Sequence, residues 1–175
     1  GGIGISIVQG ARIAGAGKII VSDPVAERRE AAIHFGATYT INPDEDEVVP
    51  KVLEETKAIG VDYAFEAAGV ASLVDTCINA SRIGGTTVIV GADASLSTVQ
   101  ILPVLIATMG KKIIGSLLGD CHPQRDIPNF VNLWKSGQLD LEAMISHRVK
   151  LEEINSGFQN VRETNGIRTV VEVGA

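Results

Sequence analysis

Along the chain, stretches with apolar residues at helical spacing alternate with short runs in which apolar residues stand side by side. GIGISIVQGARIAGA shows the helical spacing and ends in small residues and Gly15 and Gly17. KIIVSD follows as a β-rich run closing on an acid. PVAERREAAIHFGA predicts a second helix, with Pro24 suited to its first turn and Gly36 to its end. TYTINP predicts a short strand, suited to a sheet edge and stopped by Pro43. DEDEVVPKVLEETKAIG predicts a third helix, whose dipole favours the acids at its start. Beyond it the pattern predicts a strand in VDYAFEAAG, a helix in SLVDTCINASR and a strand in GGTTVIVGA. A helix in TVQILPVLIATMG and a strand in KKIIGSLLG complete the alternation.

Runs such as TTVIVG and KIIVS are apolar at consecutive positions, the mark of strands covered on both faces and hence of a parallel sheet. Strand and helix in alternation predict an α/β fold with a Rossmann-type doubly wound parallel sheet. After about Leu118 the rhythm changes to helix, loop, short strand, helix and final strand. The expected division is therefore residues 1–118 and an appendage over 119–175. No internal repeat or low-complexity segment interrupts either part.

The length of 175 residues suits one domain plus an appendage, and a chain of that size buries roughly 70% of its unfolded surface. A hydrophobic share of 45% and a charged share of 21% fit an ordinary soluble protein. Net charge is −6 with both signs scattered, which speaks against nucleic acid or an anionic membrane as partner. No apolar run approaches the roughly 20 residues of a membrane span. No leader pattern is present, and with only Cys77 and Cys121 as cysteines the expected location is the cytoplasm. Cys77 reads as a buried thiol; the Cys121–His122 pair has no second pair to complete a zinc site. His34, His122 and His147 lack an Asp or Cys partner at a convincing spacing, and neither a catalytic triad nor G-x-S-x-G is found.

Candidate chemistry gathers at the start of the chain. Gly1 and Gly2 allow a tight turn and close approach of backbone N–H groups to a phosphate, and Gly4 allows close helix–strand packing. Such glycines could equally be a plain helix start. Asp23 follows Gly4 by nineteen residues, just past the second strand of the fingerprint, where a carboxylate can accept hydrogen bonds from an adenosine ribose. It favours NAD over NADP, because a 2′-phosphate would meet a like charge. Its plain alternative is an N-cap for the helix at Pro24. Together, glycines, spacing and flanking elements predict dinucleotide binding.

These features resemble the C-terminal, NAD-binding half of a zinc-dependent alcohol dehydrogenase of the medium-chain dehydrogenase/reductase family. GGIG matches the last four positions of that family's GLGGVG motif, and VDYAFEAAG, GGTTVIVG, KKIIGSLLG, ISHRVKLEEINSGF and GIRTVVEV continue the likeness. The resemblance implies that the first glycine and the first, central strand lie upstream of Gly1. The sheet would then lack that strand, leaving the isolated chain unstable or filling the gap with another strand. Residues 119–175 would complete the catalytic domain. Gly1, Gly2 and Ile3 would sit near the pyrophosphate, with Gly4 closing the motif. Asp23 and Arg28 would hold the adenosine ribose, and Pro24 and Ala68 would flank the adenine. Ala67 and Val90 would line the ribose–nicotinamide end, the backbone of Ala92 and Leu118 would bind the carboxamide, and Arg168 would pair with the pyrophosphate. Val70 departs from relatives that carry an arginine there, which puts any adenosine contact from that position in doubt.

The implied reaction is hydride transfer between an alcohol and NAD, with an alcohol or aldehyde as small-molecule substrate. The activating zinc would belong to the parent protein, with no metal ligand or catalytic residue in this chain. Primary, secondary, polyol and thiol-adduct substrates stay open. A homodimer or higher homo-oligomer through the edge strand 111–118 is implied too, although Lys111 and Lys112 could discourage pairing. A zinc-free reductase of the same superfamily is the nearest rival, with Asp23 against it. A non-catalytic NAD-sensing module would not need the appendage, and a methyltransferase would carry an acceptor motif that is not found.

Overall fold

The computed structural model describes residues 1–92, 97–163 and 165–174. The first stretch carries α1 (Gly2–Ile13), β1 (Ile20–Ser22), α2 (Ala26–Phe35), β2 (Tyr39–Ile41), α3 (Val48–Glu55), β3 (Val61–Glu66), α4 (Ala71–Ala80) and β4 (Ser81–Ile89). Then come α5 (Pro103–Met109), β5 (Lys112–Gly115), α6 (Pro123–Lys135), β6 (Ile145–Lys150), α7 (Ile154–Arg162) and β7 (Arg168–Glu172). The chain divides into two compact units, Gly1–Asn42 with Pro123–Ala175, and Pro43–His122. Every strand pair among the described residues is parallel: β1 with β2, β6 with β7, and β3-β4-β5 in that order. The parallel α/β reading is thereby borne out.

In the first unit, Ile5 and Val8 lie one turn apart on α1 and meet Ile19, Ala32, Phe35, Ala37 and Met144 in a buried cluster. Gln9 on the same helix is fully buried. Its amide donates to Asp140 O (3.1 Å) and accepts from Asp140 N (2.8 Å), so both polar ends are satisfied. Arg12 donates to Phe35 O and Gln138 O at 3.1 and 2.5 Å. These bonds tie α1 to the end of α2 and to the segment leading into β6. The second parallel pair is closed by α7, whose Gly157 comes so near the sheet that a Cβ would stand 3.3 Å from Thr169 Cγ2.

In the second unit, β4 is the central strand, and Thr86, Thr87 and Val88 are buried in succession. Coverage on both faces is what their consecutive apolar pattern predicts. Edge strand β3 instead alternates: Ala64 and Glu66 are buried while Tyr63 and Phe65, stacked at 6.5 Å, are exposed. The registers set Glu66 beside Ile89 and Ile89 beside Gly115, so the three strands end level. Lys111 donates to Ile78 O and Ser81 O (2.5 and 2.8 Å), satisfying carbonyls at the end of α4. It therefore turns inward from the edge strand rather than guarding it.

Some boundaries differ from the pattern. α2 starts at Ala26 with Val25 as N-cap, so Pro24 precedes the helix. The acids 44–47 likewise stand before α3. α5 begins only at Pro103, because a residue before proline is driven out of the helical region, and Leu102 is extended (φ −86°, ψ 104°). β4 takes in Ser81 and Arg82, which the pattern gives to the preceding helix.

Candidate functional site

The expected site residues fall into both units. In the first, Gly1 is the N-cap of α1 with no side chain capping it, and the first helical bond runs from Ile5 N to Gly1 O (3.0 Å). The N–H groups of the opening turn thus lie outside the helix ladder, as at any helix start. A Cβ on Gly2 would stand 3.4 Å from Arg168 Nη2, which brings the guanidinium against the glycine backbone. A Cβ on Gly1 or Gly4 would meet nothing within 4 Å among the described residues, and Ile3 is exposed.

Asp23 follows β1 and is only partly covered, its side chain 20% exposed. Its Oδ1 accepts from Val25 N at 2.9 Å, an Asx turn two residues on rather than the N-cap of α2. Its Oδ2 lies 4.0 Å from Arg28 Nη1. Arg29 Nη1 donates to the carbonyls of Asp23 and Pro24 (2.7 and 2.9 Å), which fixes this corner from below. Pro24 is exposed. Gly2, Asp23, Arg28 and Arg168 thus belong to one unit, with an acid and two guanidinium groups near the start of a glycine-opened helix.

In the second unit, the expected residues all leave the carboxyl ends of the level strands. Ala67 and Ala68 follow β3, Val90 and Ala92 follow β4, and Leu118 follows β5, whose last turn is tied back by Ser116 N to Ile89 O (2.9 Å). The crevice outside the carboxyl ends of a parallel sheet is where open α/β folds bind ligands. Ala67 and Val90 are half-buried; Ala68 and Ala92 are exposed, and Leu118 is 86% exposed. Leu118 has φ +52°, a left-handed backbone that costs a side-chain-bearing residue about 1–2 kcal/mol.

Pattern reading passed over Glu66, the last residue of β3. It is 2% exposed, and its Oε1 accepts from Ala68 N, Gly69 N and Val70 N at 2.9, 2.8 and 3.2 Å. Gly69 has φ +74°, and a Cβ there would stand 2.8 Å from Ala92 O. A Cβ on Gly91 would stand 2.6 Å from Gly69 Cα. Glu66 and two glycines therefore lock the turn after β3 against the turn after β4. An acid ending an apolar strand and followed by AAG was the available signal, since a charge at that position must find backbone donors when buried.

Cys77 lies half-buried on α4, and burial, with a smaller push from Glu66, raises its thiol pKa from 9.0 to about 11. His34 stands 3.9 Å from Asp140 and edge-on to Phe35, while His147 Nε2 is buried against β7's approach without a hydrogen bond. Among the described residues no three His, Cys, Asp or Glu side chains converge to hold a metal. No helix among them is long and apolar enough to cross a membrane.

Parallel strands alternating with helices, in each unit, make up an α/β protein of the Rossmann class. Residues 2–136 match the family model described as Zinc-binding dehydrogenase, and the chain belongs to that family. It is 38% identical over 174 residues to the NDMA-dependent alcohol dehydrogenase of Amycolatopsis methanolica, covering 98% of this chain and 47% of that protein. The alcohol dehydrogenase zinc-binding domain protein from Burkholderia ambifaria superposes with a TM-score of 0.94 at 32% identity, over 100% of this chain and 47% of its own. A zinc-binding dehydrogenase from Sinorhizobium meliloti bound to NADP gives a TM-score of 0.87 at 31% identity, over 98% and 49%. The chain spans about half the length of the curated relatives it matches.

Proposed function

We propose that this chain is the cofactor-holding portion of an NAD-dependent alcohol dehydrogenase. The observation that carries the reading is the pair of features in the first unit: a partly exposed Asp23 past β1, and Arg168 against Gly2 at the start of α1. The residues fit a dinucleotide. Asp23 Oδ2 is turned from the Asx turn and is able to accept from ribose hydroxyls, with Arg28 beside it. The opening N–H groups of α1 and the Arg168 guanidinium supply donors and positive charge for a pyrophosphate. In the second unit, the backbone at Ala92 and Leu118, after β4 and β5, would bind a carboxamide, with Ala67 and Val90 lining the ribose–nicotinamide end and Ala68 flanking the adenine. When bound, the nicotinamide supplies the hydride acceptor; the chain's part is to bind and orient it.

Asp23 supports NAD over NADP, since its carboxylate would repel a 2′-phosphate. The relative crystallised with NADP makes this the point to test. Titrating the native-length protein with NADH and NADPH, followed by nicotinamide fluorescence, is expected to show NADH binding at least about tenfold tighter. Equal or reversed affinities would overturn the preference, and no binding of either would overturn the function.

The substrate side of the proposal is an alcohol or aldehyde, with zinc and its ligands supplied by the remainder of the parent protein. Residues 119–175 then belong with the catalytic domain and 1–118 with the cofactor domain. A homodimer through β5 is part of the same reading: β5 is an edge strand, Lys111 is turned inward, and Ile114 and Leu117 are exposed. Sedimentation of the native-length protein as a monomer alone would remove it. A cytoplasmic location accords with two free cysteines.

A further inference from the structure

The geometry points to Glu66 as a positioning residue for the cofactor site, acting through the Ala67–Val70 turn rather than by touching the ligand. This rests on the cofactor reading above. Three N–H groups in succession give their hydrogen bonds to one oxygen, Glu66 Oε1, at 2.8–3.2 Å, and no side-chain cap is present at Val70 to share them. The strand's own carbonyl is engaged as well: Val90 N and Gly91 N donate to Glu66 O at 2.8 and 3.0 Å. One residue thus sets both backbone corners from which Ala67, Ala68, Val90 and Ala92 are presented. A turn that a single acceptor holds is free to adopt other arrangements once that acceptor is withdrawn. Its three donors then need water, or one another's space. Pre-ordering of a ligand-binding backbone lowers the entropy lost on binding, so loosening it weakens affinity without removing any contact.

The glycines make the same point from the other side. Gly69 and Gly91 approach so closely that neither has room for a methyl group. The two turns are therefore fitted to each other, and a shift of the first carries the second with it.

The test compares NADH affinity and thermal midpoint in the native-length protein and four variants. Glu66→Ala removes the acceptor, and Glu66→Asp keeps the charge but falls one methylene short of the three donors. Glu66→Gln keeps an acceptor oxygen at the same reach. Val74→Ala, in the buried face of α4, is the control for lost stability without a change at the turn. Glu66→Ala and Glu66→Asp are expected to weaken NADH binding about tenfold or more, and Glu66→Gln by no more than about threefold. Val74→Ala is expected to lower the midpoint and leave affinity within about twofold. Should Glu66→Ala not fold, the Asp and Gln variants still decide the matter.

Unchanged binding in Glu66→Asp, or Glu66→Gln as weak as Glu66→Asp, overturns the proposal. So does a Val74→Ala protein weakened as much as the Glu66 variants, because the effect would then be general loosening. A wild-type protein that binds neither NADH nor NADPH overturns the cofactor reading and this proposal with it. A binding wild type with unaffected Glu66→Asp overturns the proposal alone.

Discussion

Two carboxylates close two strand ends of this protein, and their differences separate a group available to a ligand from one committed to the chain. Asp23 follows β1, accepts one N–H through Oδ1 and keeps Oδ2 near Arg28, with a fifth of its side chain open. Glu66 ends β3, is almost wholly buried and spends Oε1 on three N–H groups. The first carboxylate has acceptor capacity left for hydroxyls; the second orders a turn. An acid at the end of a parallel strand is therefore not enough to name a cofactor contact. Burial and the tally of donors already engaged decide which role it plays.

The largest effect expected from breaking this comparison is at Gly91. Gly91→Ala drives a methyl group into the Gly69 backbone and toward the Glu66 carboxylate, atoms that cannot swing aside. The expected loss is about 3 kcal/mol, read as a fall in the urea midpoint of the native-length protein. A midpoint within error of wild type would mean that the two turns are not locked together.

Asp23→Ala comes next and should separate binding from stability. Among the described residues its side chain accepts one hydrogen bond, from Val25 N, and faces Arg28 in a long, partly exposed ion pair, so the melting temperature should fall by about 3 °C. NADH affinity should drop about tenfold while NADPH affinity holds or rises, narrowing the preference between them. A stability loss as large as that of Glu66→Ala with unchanged NADH affinity would assign Asp23 to the structural class instead.

The smallest effect concerns Cys77, which lies in reach of the Glu66 charge. With its pKa raised from 9.0 to about 11, the folded protein holds only about one thiol in a thousand as thiolate at pH 8. Iodoacetamide should therefore spare Cys77 until urea unfolds the chain. The shift also fixes a sign for stability. A group whose pKa is higher folded than unfolded favours the fold while protonated, so its contribution is intact below pH 9 and is lost as pH rises toward about 11. Rapid labelling of Cys77 at pH 8 without denaturant would contradict its burial.

Much of the fold was legible because burial imposes its own period. Consecutive apolar residues in TTVIVG mark β4 as central, and the spacing of Ile5 and Val8 marks the buried face of α1. Helix starts were harder, because backbone restrictions outweigh composition there. Pro103 delays α5, and the Asx turn at Asp23 pushes α2 back to Ala26. Of the candidate site, Gly2, Asp23 and Arg28 could be named from spacing and likeness to a family, as could Arg168. Glu66 was harder, since an acid in a strand that also carries the exposed Asp62 reads as a second solvent-facing residue until its three donors are visible. The inward turn of Lys111 was hidden for the same reason: its carbonyl partners lie some thirty residues away in sequence.

The most direct test of these separate roles is a crystal structure of the native-length protein with NAD bound. The adenosine ribose hydroxyls are expected within hydrogen-bond distance of Asp23, with Glu66 still holding Ala68, Gly69 and Val70 and making no contact with the cofactor. A ribose placed away from Asp23, or a Glu66 carboxylate turned onto the cofactor, would contradict the account.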